Sequence, residues 1–137
     1  MVAIPRLLWA NETVGKSPVD RGKNGSKKHL LVDENGIPLS LLITEGNTHD
    51  VKEMYNLIDI RKLNYTGSIL VDKGYKSEAL HKKIKQDLNI EIVMANKGKR
   101  WIVEVCHSWF NNFRKLKVRY EKTTSSFLEL HCIAASL

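Results

Sequence analysis

Ser68-Ile69-Leu70-Val71-Asp72-Lys73-Gly74-Tyr75 is a short apolar run that ends on an acid, and its reading decides the fold. Ile69, Leu70 and Val71 leave no polar position for a solvent face, the pattern of a central parallel strand covered on both sides by helices. Helical periodicity flanks this strand. Before it, Val51, Met54, Tyr55 and Ile58 recur at the 3.6-residue period in a segment running from Thr48, a capping residue, to about Ile60. After it, Ser77 caps a second helix, with Glu78 in the first turn and Leu80, Ile84 and Leu88 facing inward. Ile90 to Ala95 forms the next strand.

Farther out, His29–Asp33 and Pro38–Thr44 are apolar runs on either side of Glu34-Asn35-Gly36. Asn-Gly is the strongest short hairpin signal, so these two runs predict an antiparallel hairpin. Asn11 to Ser26 is rich in Gly, Lys and Ser and reads as a loop; Met1 to Ile4 reads as the remnant of a strand cut by Pro5. Asn96 to Lys99 is a basic turn, Trp101 to about Arg119 one long helix, and Thr124 to Ser136 another. A hairpin followed by alternating helices and strands predicts a mixed α/β sheet flanked by helices. With 137 residues and no repeat or linker, the chain reads as one domain, 1–137.

Hydrophobic residues make up 42% of the chain, and no apolar run approaches the ~20 residues of a membrane helix. Met1 to Ala10 is short and carries Pro5 and Arg6, which makes a poor signal peptide. Cys106 and Cys132 form no CxxC pair, and both lie in apolar helical patterns. They read as reduced, buried thiols in a cytoplasmic protein. The net charge of +7 favours a polyanionic partner. The bases are clustered: five stand between Gly15 and Leu30 against Asp20 alone, and eight between Lys97 and Lys122 against Glu104 and Glu121. A solvated basic face with no partner is the plain alternative.

The chemistry-bearing stretch is Arg100-Trp101-Ile102-Val103-Glu104-Val105-Cys106-His107-Ser108-Trp109-Phe110. Arg100, Glu104 and His107 share one helix face. Burying a carboxylate among such apolar neighbours is costly, so Glu104 is expected to have a partner, either Arg100 or a metal. A strand-end Asp72 and a mid-helix Glu104 are parts of a hard-cation site. Mg²⁺ takes carboxylate oxygens and leaves positions open for phosphate, which points to phosphoryl transfer on nucleic acid. The plainer readings are Asp72 as a cap, Arg100–Glu104 as an i,i+4 ion pair, His49-Asp50 as a helix start, and Trp101 and Trp109 as core residues. No Gly-rich phosphate loop, zinc spacing or Ser-His-Asp order is present.

Several blocks in order carry a resemblance. They are Ser17-Pro18-Val19-Asp20-Arg21-Gly22-Lys23-Asn24-Gly25-Ser26-Lys27-Lys28-His29; Leu30 to Asp33 with Gly36 to Leu39; Gly46-Asn47-Thr48-His49-Asp50; Asp72-Lys73-Gly74-Tyr75; Arg100-Trp101 with Val103-Glu104; His107 to Asn111; and Arg119-Tyr120-Glu121-Lys122. The chain resembles the carboxyl-terminal part of DDE-type insertion-sequence transposases, in the superfamily that groups the four-type and five-type elements. The resemblance implies an RNase H-like mixed sheet flanked by helices, its first strand truncated. It also implies three carboxylates holding two divalent ions, Mg²⁺ or Mn²⁺. On that pattern Asp72 is the second acid, Glu104 the third, and Arg100 the signature arginine. Two metals would activate the attacking water or 3′-hydroxyl and stabilise the leaving oxygen.

The first Asp of the family pattern falls ahead of Val2 to Ile4 and is expected to be missing, as is an amino-terminal DNA-binding region. Of the broader Y-R-E-K signature only the R and E are kept, because its Tyr and Lys fall near Lys97 and Asn111; Val105 stands where many relatives carry a base. The first expectation is therefore a transposase catalytic-core fragment, inactive alone. The alternative is a non-catalytic basic DNA-binding module, or a subunit that complements a separate first half. Lys16, Arg21, Lys23, Lys27 and Lys28, with Arg114, Lys115, Lys117 and Arg119, would supply its phosphate contacts. A missing strand would leave a sheet edge open to self-association, so a homo-oligomer is expected.

Overall fold

The computed structural model describes residues 2–3, 6–7, 15–16, 22, 24–59, 67–95 and 101–137. Three short strands, β1 (Val2–Ala3), β2 (Arg6–Leu7) and β3 (Gly15–Lys16), lead into β4 (Asn24–Val32) and β5 (Pro38–Glu45). Helix α1 (Asp50–Asp59) follows, then β6 (Gly67–Val71), a 3₁₀ turn over Lys73–Tyr75, α2 (Glu78–Leu88) and β7 (Ile90–Met94). The chain ends with α3 (Trp101–Asn111), α4 (Arg114–Lys117), β8 (Val118–Arg119) and α5 (Thr124–Ala135).

The expected hairpin is β4–β5, with Lys28 opposite Ile43 and Leu30 opposite Leu41. Its connection is five residues long rather than a two-residue Asn-Gly turn. Asp33 organises it: its Oδ1 accepts from the Asn35 and Ile37 amides, and its carbonyl accepts from Gly36 N–H at 3.1 Å. Gly36, at φ 83°, takes the left-handed position that closes the turn. Strand β4 also starts earlier than the sequence suggests, because Asn24 to Lys28 belongs to it and not to a loop.

Strand β4 pairs with β1, β2, β3 and β5, and β8 lies parallel to β2, giving a six-stranded mixed sheet. Backbones crowd where β3 and β4 meet the end of β5. A Cβ on Gly46 would lie 2.7 Å from the Gly15 carbonyl oxygen and 2.8 Å from that of Gly25, so only glycine fits. Among the described residues β6 and β7 pair only with each other, parallel, with Ile69 opposite Ile92. The parallel strand is therefore present, but in a second, two-stranded sheet rather than inside one continuous sheet. Burial on both faces fails too. Ile69 and Val71 pack on helices, while Leu70 on the other face is 46% exposed.

Two cores result. Leu30, Ile43, Cys106, Phe110, Leu116, Phe127 and Ala134 form one between the large sheet and the carboxyl-terminal helices. Met54, Ile58, Tyr75, Ile84 and Ile90 form the other, between α1, α2 and the small sheet. Helix α2 is bounded as its sequence predicts: Ser77 Oγ accepts from Leu80 N–H, and Asn89 ends it in the left-handed conformation at φ 54°. Helix α1 begins at Asp50, with Asp50 and Glu53 in its first turn.

The long helix expected from Trp101 to Arg119 breaks after Asn111. Phe110 and Leu116 are six residues apart, about 240° around a continuous helix. The turn at Asn112-Phe113 lets both enter the same core, where they are 1% and 2% exposed. Two burial expectations also fail. Cys132 is exposed while Cys106 is buried, and burial pushes the Cys106 thiol pKa up. Trp101, expected in the core, is 58% exposed, and Trp109 is only partly covered by edge contacts with Phe110 and Phe113.

Candidate functional site

Asp72 stands at the carboxyl end of β6, the end where open α/β sheets gather ligands. It is half-buried and caps the 3₁₀ turn: its Oδ1 accepts from Lys73 N–H at 2.7 Å, and its carbonyl accepts from Tyr75 N–H at 2.9 Å. The plain capping reading of this residue therefore holds in the geometry, alongside any role for its carboxylate.

Tyr75 ties this turn to the rest of the molecule. Its ring lies in the α1–α2 core, while its hydroxyl meets His29 Nδ1 on β4 at 3.2 Å. His29 Nε2 lies 2.8 Å from Thr44 Oγ1, and the Thr44 hydroxyl donates to the Glu45 carbonyl. A neutral imidazole carries one ring proton, so His29 donates in one of these two contacts and accepts in the other. Burial lowers the His29 pKa; Asp50 opposes this, Lys27 adds to it, and Glu53 opposes it. Burial, reinforced by Asp50 and Asp72, pushes the Tyr75 hydroxyl pKa up, so both rings stay neutral. His81 Nε2 holds the Tyr75 carbonyl at 2.9 Å from α2.

The side chains of Lys27 and His29 share one face of β4, as residues two apart must. Lys27 Nζ donates to the Thr48 carbonyl at 2.7 Å and to Asp50 Oδ1 at 3.0 Å, pinning the start of α1. Asp50 Oδ2 lies 3.6 Å from the position a Cβ on Gly74 would take. Sequence reading missed this arrangement. Its signal was the Lys27-Lys28-His29 alternation beside the Gly46-to-Asp50 block, which was read only as a helix start.

Glu104 is exposed on α3 rather than buried among its apolar neighbours, so the desolvation cost that demanded a partner does not arise. His107, one turn on, is buried. Arg100 lies outside the described residues, as do Arg21 and Lys23. The oxygen chemistry of Asp72 and Glu104 suits a hard cation. Among the described residues, however, no three His, Cys, Asp or Glu side chains group in a way that could hold a metal ion. No catalytic step follows from this geometry.

The basic residues divide sharply. Lys16, Arg114, Lys115 and Lys117 are exposed. Lys27 is buried in its pairing with Asp50. Lys28, on the opposite face of β4, is 1% exposed, and among the described residues its Nζ reaches only the Leu116 carbonyl, at 3.5 Å. Burial lowers its pKa to about 8. Arg119 is wholly buried; it donates to Ser26 Oγ, Thr124 Oγ1 and the Glu121 carbonyl and stacks 5.2 Å from the Phe127 ring. Lys27, Lys28 and Arg119 thus sit inside the protein, unlike the surface cations the sequence suggested.

Asp72 stands at the end of a parallel strand, Glu104 is exposed on a later helix, and Lys16, Arg114, Lys115 and Lys117 are exposed bases. A family model described as "Transposase DDE domain" matches residues 8–99, and a second of the same description matches residues 69–137. The chain belongs to this family of DDE transposases. It is 34% identical over 145 aligned positions to "Putative transposase for insertion sequence element IS402" of Burkholderia cepacia, covering 90% of this chain and 68% of that protein. No solved structure matches the chain. No helix among the described residues is long and apolar enough to cross a membrane.

Proposed function

We propose that residues 1–137 form an RNase H-like catalytic-core domain that takes part in DNA transposition by metal-dependent phosphoryl transfer. Asp72 and Glu104 supply the carboxylates for Mg²⁺ or Mn²⁺, and Arg100 stands beside the helix acid. The observation that carries this reading is Asp72, half-exposed at the carboxyl end of a parallel strand in a chain of the DDE transposase family. Two-metal chemistry needs several converging carboxylates. The chain is expected to bind Mn²⁺ through these two carboxylates. Calorimetry of Mn²⁺ into the wild type and into the Asp72→Ala/Glu104→Ala double variant tests the site. Binding lost in the double variant supports it. Equal binding in both proteins would remove these residues from the metal site.

A second reading is a basic module that contacts DNA phosphates and complements a separate first half, or assembles as a homo-oligomer. It is favoured by the exposed Arg114, Lys115 and Lys117 on α4 together with Lys16. Binding to duplex DNA should then weaken steeply with salt, and neutralising Lys115 and Lys117 to Gln should lower the log–log salt slope by about 2. A slope unchanged by that double substitution would exclude α4 from the contact.

A further inference from the structure

We propose that His29 and Tyr75 are positioning residues for Asp72. The tyrosine hydroxyl carries the grip of the large sheet across to the turn that presents the carboxylate. The small sheet holding Asp72 shares no strand pairing with the large sheet among the described residues. Tyr75 bridges them. Its ring is 6% exposed in the α1–α2 core, yet its hydroxyl bonds His29, which is wholly buried on β4. The relay runs through both ring nitrogens: the Tyr75 hydroxyl meets His29 Nδ1, and His29 Nε2 meets Thr44 Oγ1. Every member is paired, as buried polar groups require, so the relay fixes the side chains uniquely.

Geometry joins this relay to Asp72 over three residues. The Tyr75 amide bonds the Asp72 carbonyl, the Lys73 amide bonds the Asp72 carboxylate, and His81 takes the Tyr75 carbonyl. Gly74 in the same turn packs toward Asp50, which Lys27 holds from the same face of β4 as His29. The turn is therefore tied to β4 through His29–Tyr75, while Lys27–Asp50 fixes the neighbouring start of α1 to the same face of β4. A carboxylate that must meet a metal or a phosphate needs such support, because groups that touch the reacting atoms work only within about 0.5 Å of their productive positions.

This inference rests on the reading of Asp72 as a reacting carboxylate, and its test separates the two. Tyr75→Phe removes one hydroxyl and keeps the ring in its core. His29→Gln keeps a donor and an acceptor for Tyr75 and Thr44, whereas His29→Leu keeps neither. The readouts on the full chain are hydrogen exchange at the Lys73 amide and the ¹³C resonance of the Asp72 carboxyl, with a thermal melt of each variant. Tyr75→Phe and His29→Leu are expected to speed Lys73 exchange at least tenfold and to shift or broaden the Asp72 signal, while exchange in α5 stays unchanged. His29→Gln is expected to restore both signals. Lys73 and Asp72 signals unchanged in Tyr75→Phe would overturn the proposal. So would a loss of protection spread evenly over α5, or a failure of His29→Gln to rescue. If the turn loosens as expected but Asp72→Asn leaves Mn²⁺ binding untouched, positioning stands and the catalytic reading of Asp72 falls.

Discussion

Phe127→Ala should lower stability by about 3–5 kcal/mol, the usual cost of emptying a fully buried aromatic site. Phe127 is wholly buried in the larger core, meets His131 edge-on at 4.6 Å and lies beneath the Arg119 guanidinium. Truncation opens a cavity that the rigid surroundings cannot fill, since β4, α4 and α5 all converge there. It also takes the aromatic face from a buried cation. Domains of this size typically have about 5–15 kcal/mol in all, so the variant should be largely melted near 40 °C. Urea unfolding monitored by circular dichroism measures the change. A loss below about 1 kcal/mol would mean that α5 is not packed on β4 as described. Phe127→Leu should recover more than half of the stability, because it restores most of the volume.

Lys28→Met should stabilise the protein at neutral pH by about 1–3 kcal/mol. The ammonium is buried with a long hydrogen bond to the Leu116 carbonyl, and burial lowers its pKa from 10.5 to about 8. For a base with a depressed native pKa, the unfolded chain binds more protons across the interval between the two values, so stability rises with pH there. The cost of burying Lys28 is fully present below pH 8 and is relieved between about 8 and 10.5. Tyr75 limits the gain: its raised pKa means that the unfolded chain releases the phenolic proton first, and stability falls again above about pH 10. His131 adds an acid limb. Burial lowers its pKa from 6.5 to about 4, so stability drops as pH falls through that interval. Thermal melts across this pH range should climb from pH 4 to a maximum near pH 9–10. In Lys28→Met the rise above pH 8 should vanish while the acid limb remains. A change between pH 8 and 10 in the wild type no different from that of Lys28→Met would contradict the burial of a charged Lys28.

Local signals carried much of the fold. The Ser77 cap and the inward Ile84 of α2, the Asp50 start of α1 and the apolar run of β5 depend on neighbours within a few residues, and each was visible in the sequence. So were Asp72 at a strand end and the blocks that mark a DDE transposase. The misses lie where partners come from afar. Asn24 to Lys28 looked like a basic loop because charged residues are rarely buried. Strand β4 buries them because it is covered on both faces, with Lys27 answered by Asp50 and Arg119 by Ser26 and Thr124. Glu104 failed in the opposite sense. Its apolar neighbours suggested a core helix, but Trp101 and Val105 also face solvent, and the acid lies on their side of α3.

What the sequence determined by itself was periodicity, caps, turns and family, since these depend on the backbone's local preferences and on which residue types recur together. Only the tertiary structure decided which charges are internal, where the last long helix breaks and how the turn of Asp72 is held. Those outcomes depend on desolvation, and the cost of burying a charge or a hydroxyl is set by atoms that may be dozens of residues away. His29 and Tyr75, 46 positions apart, became one unit because the fold brings a hydroxyl from the smaller core against a buried imidazole on β4.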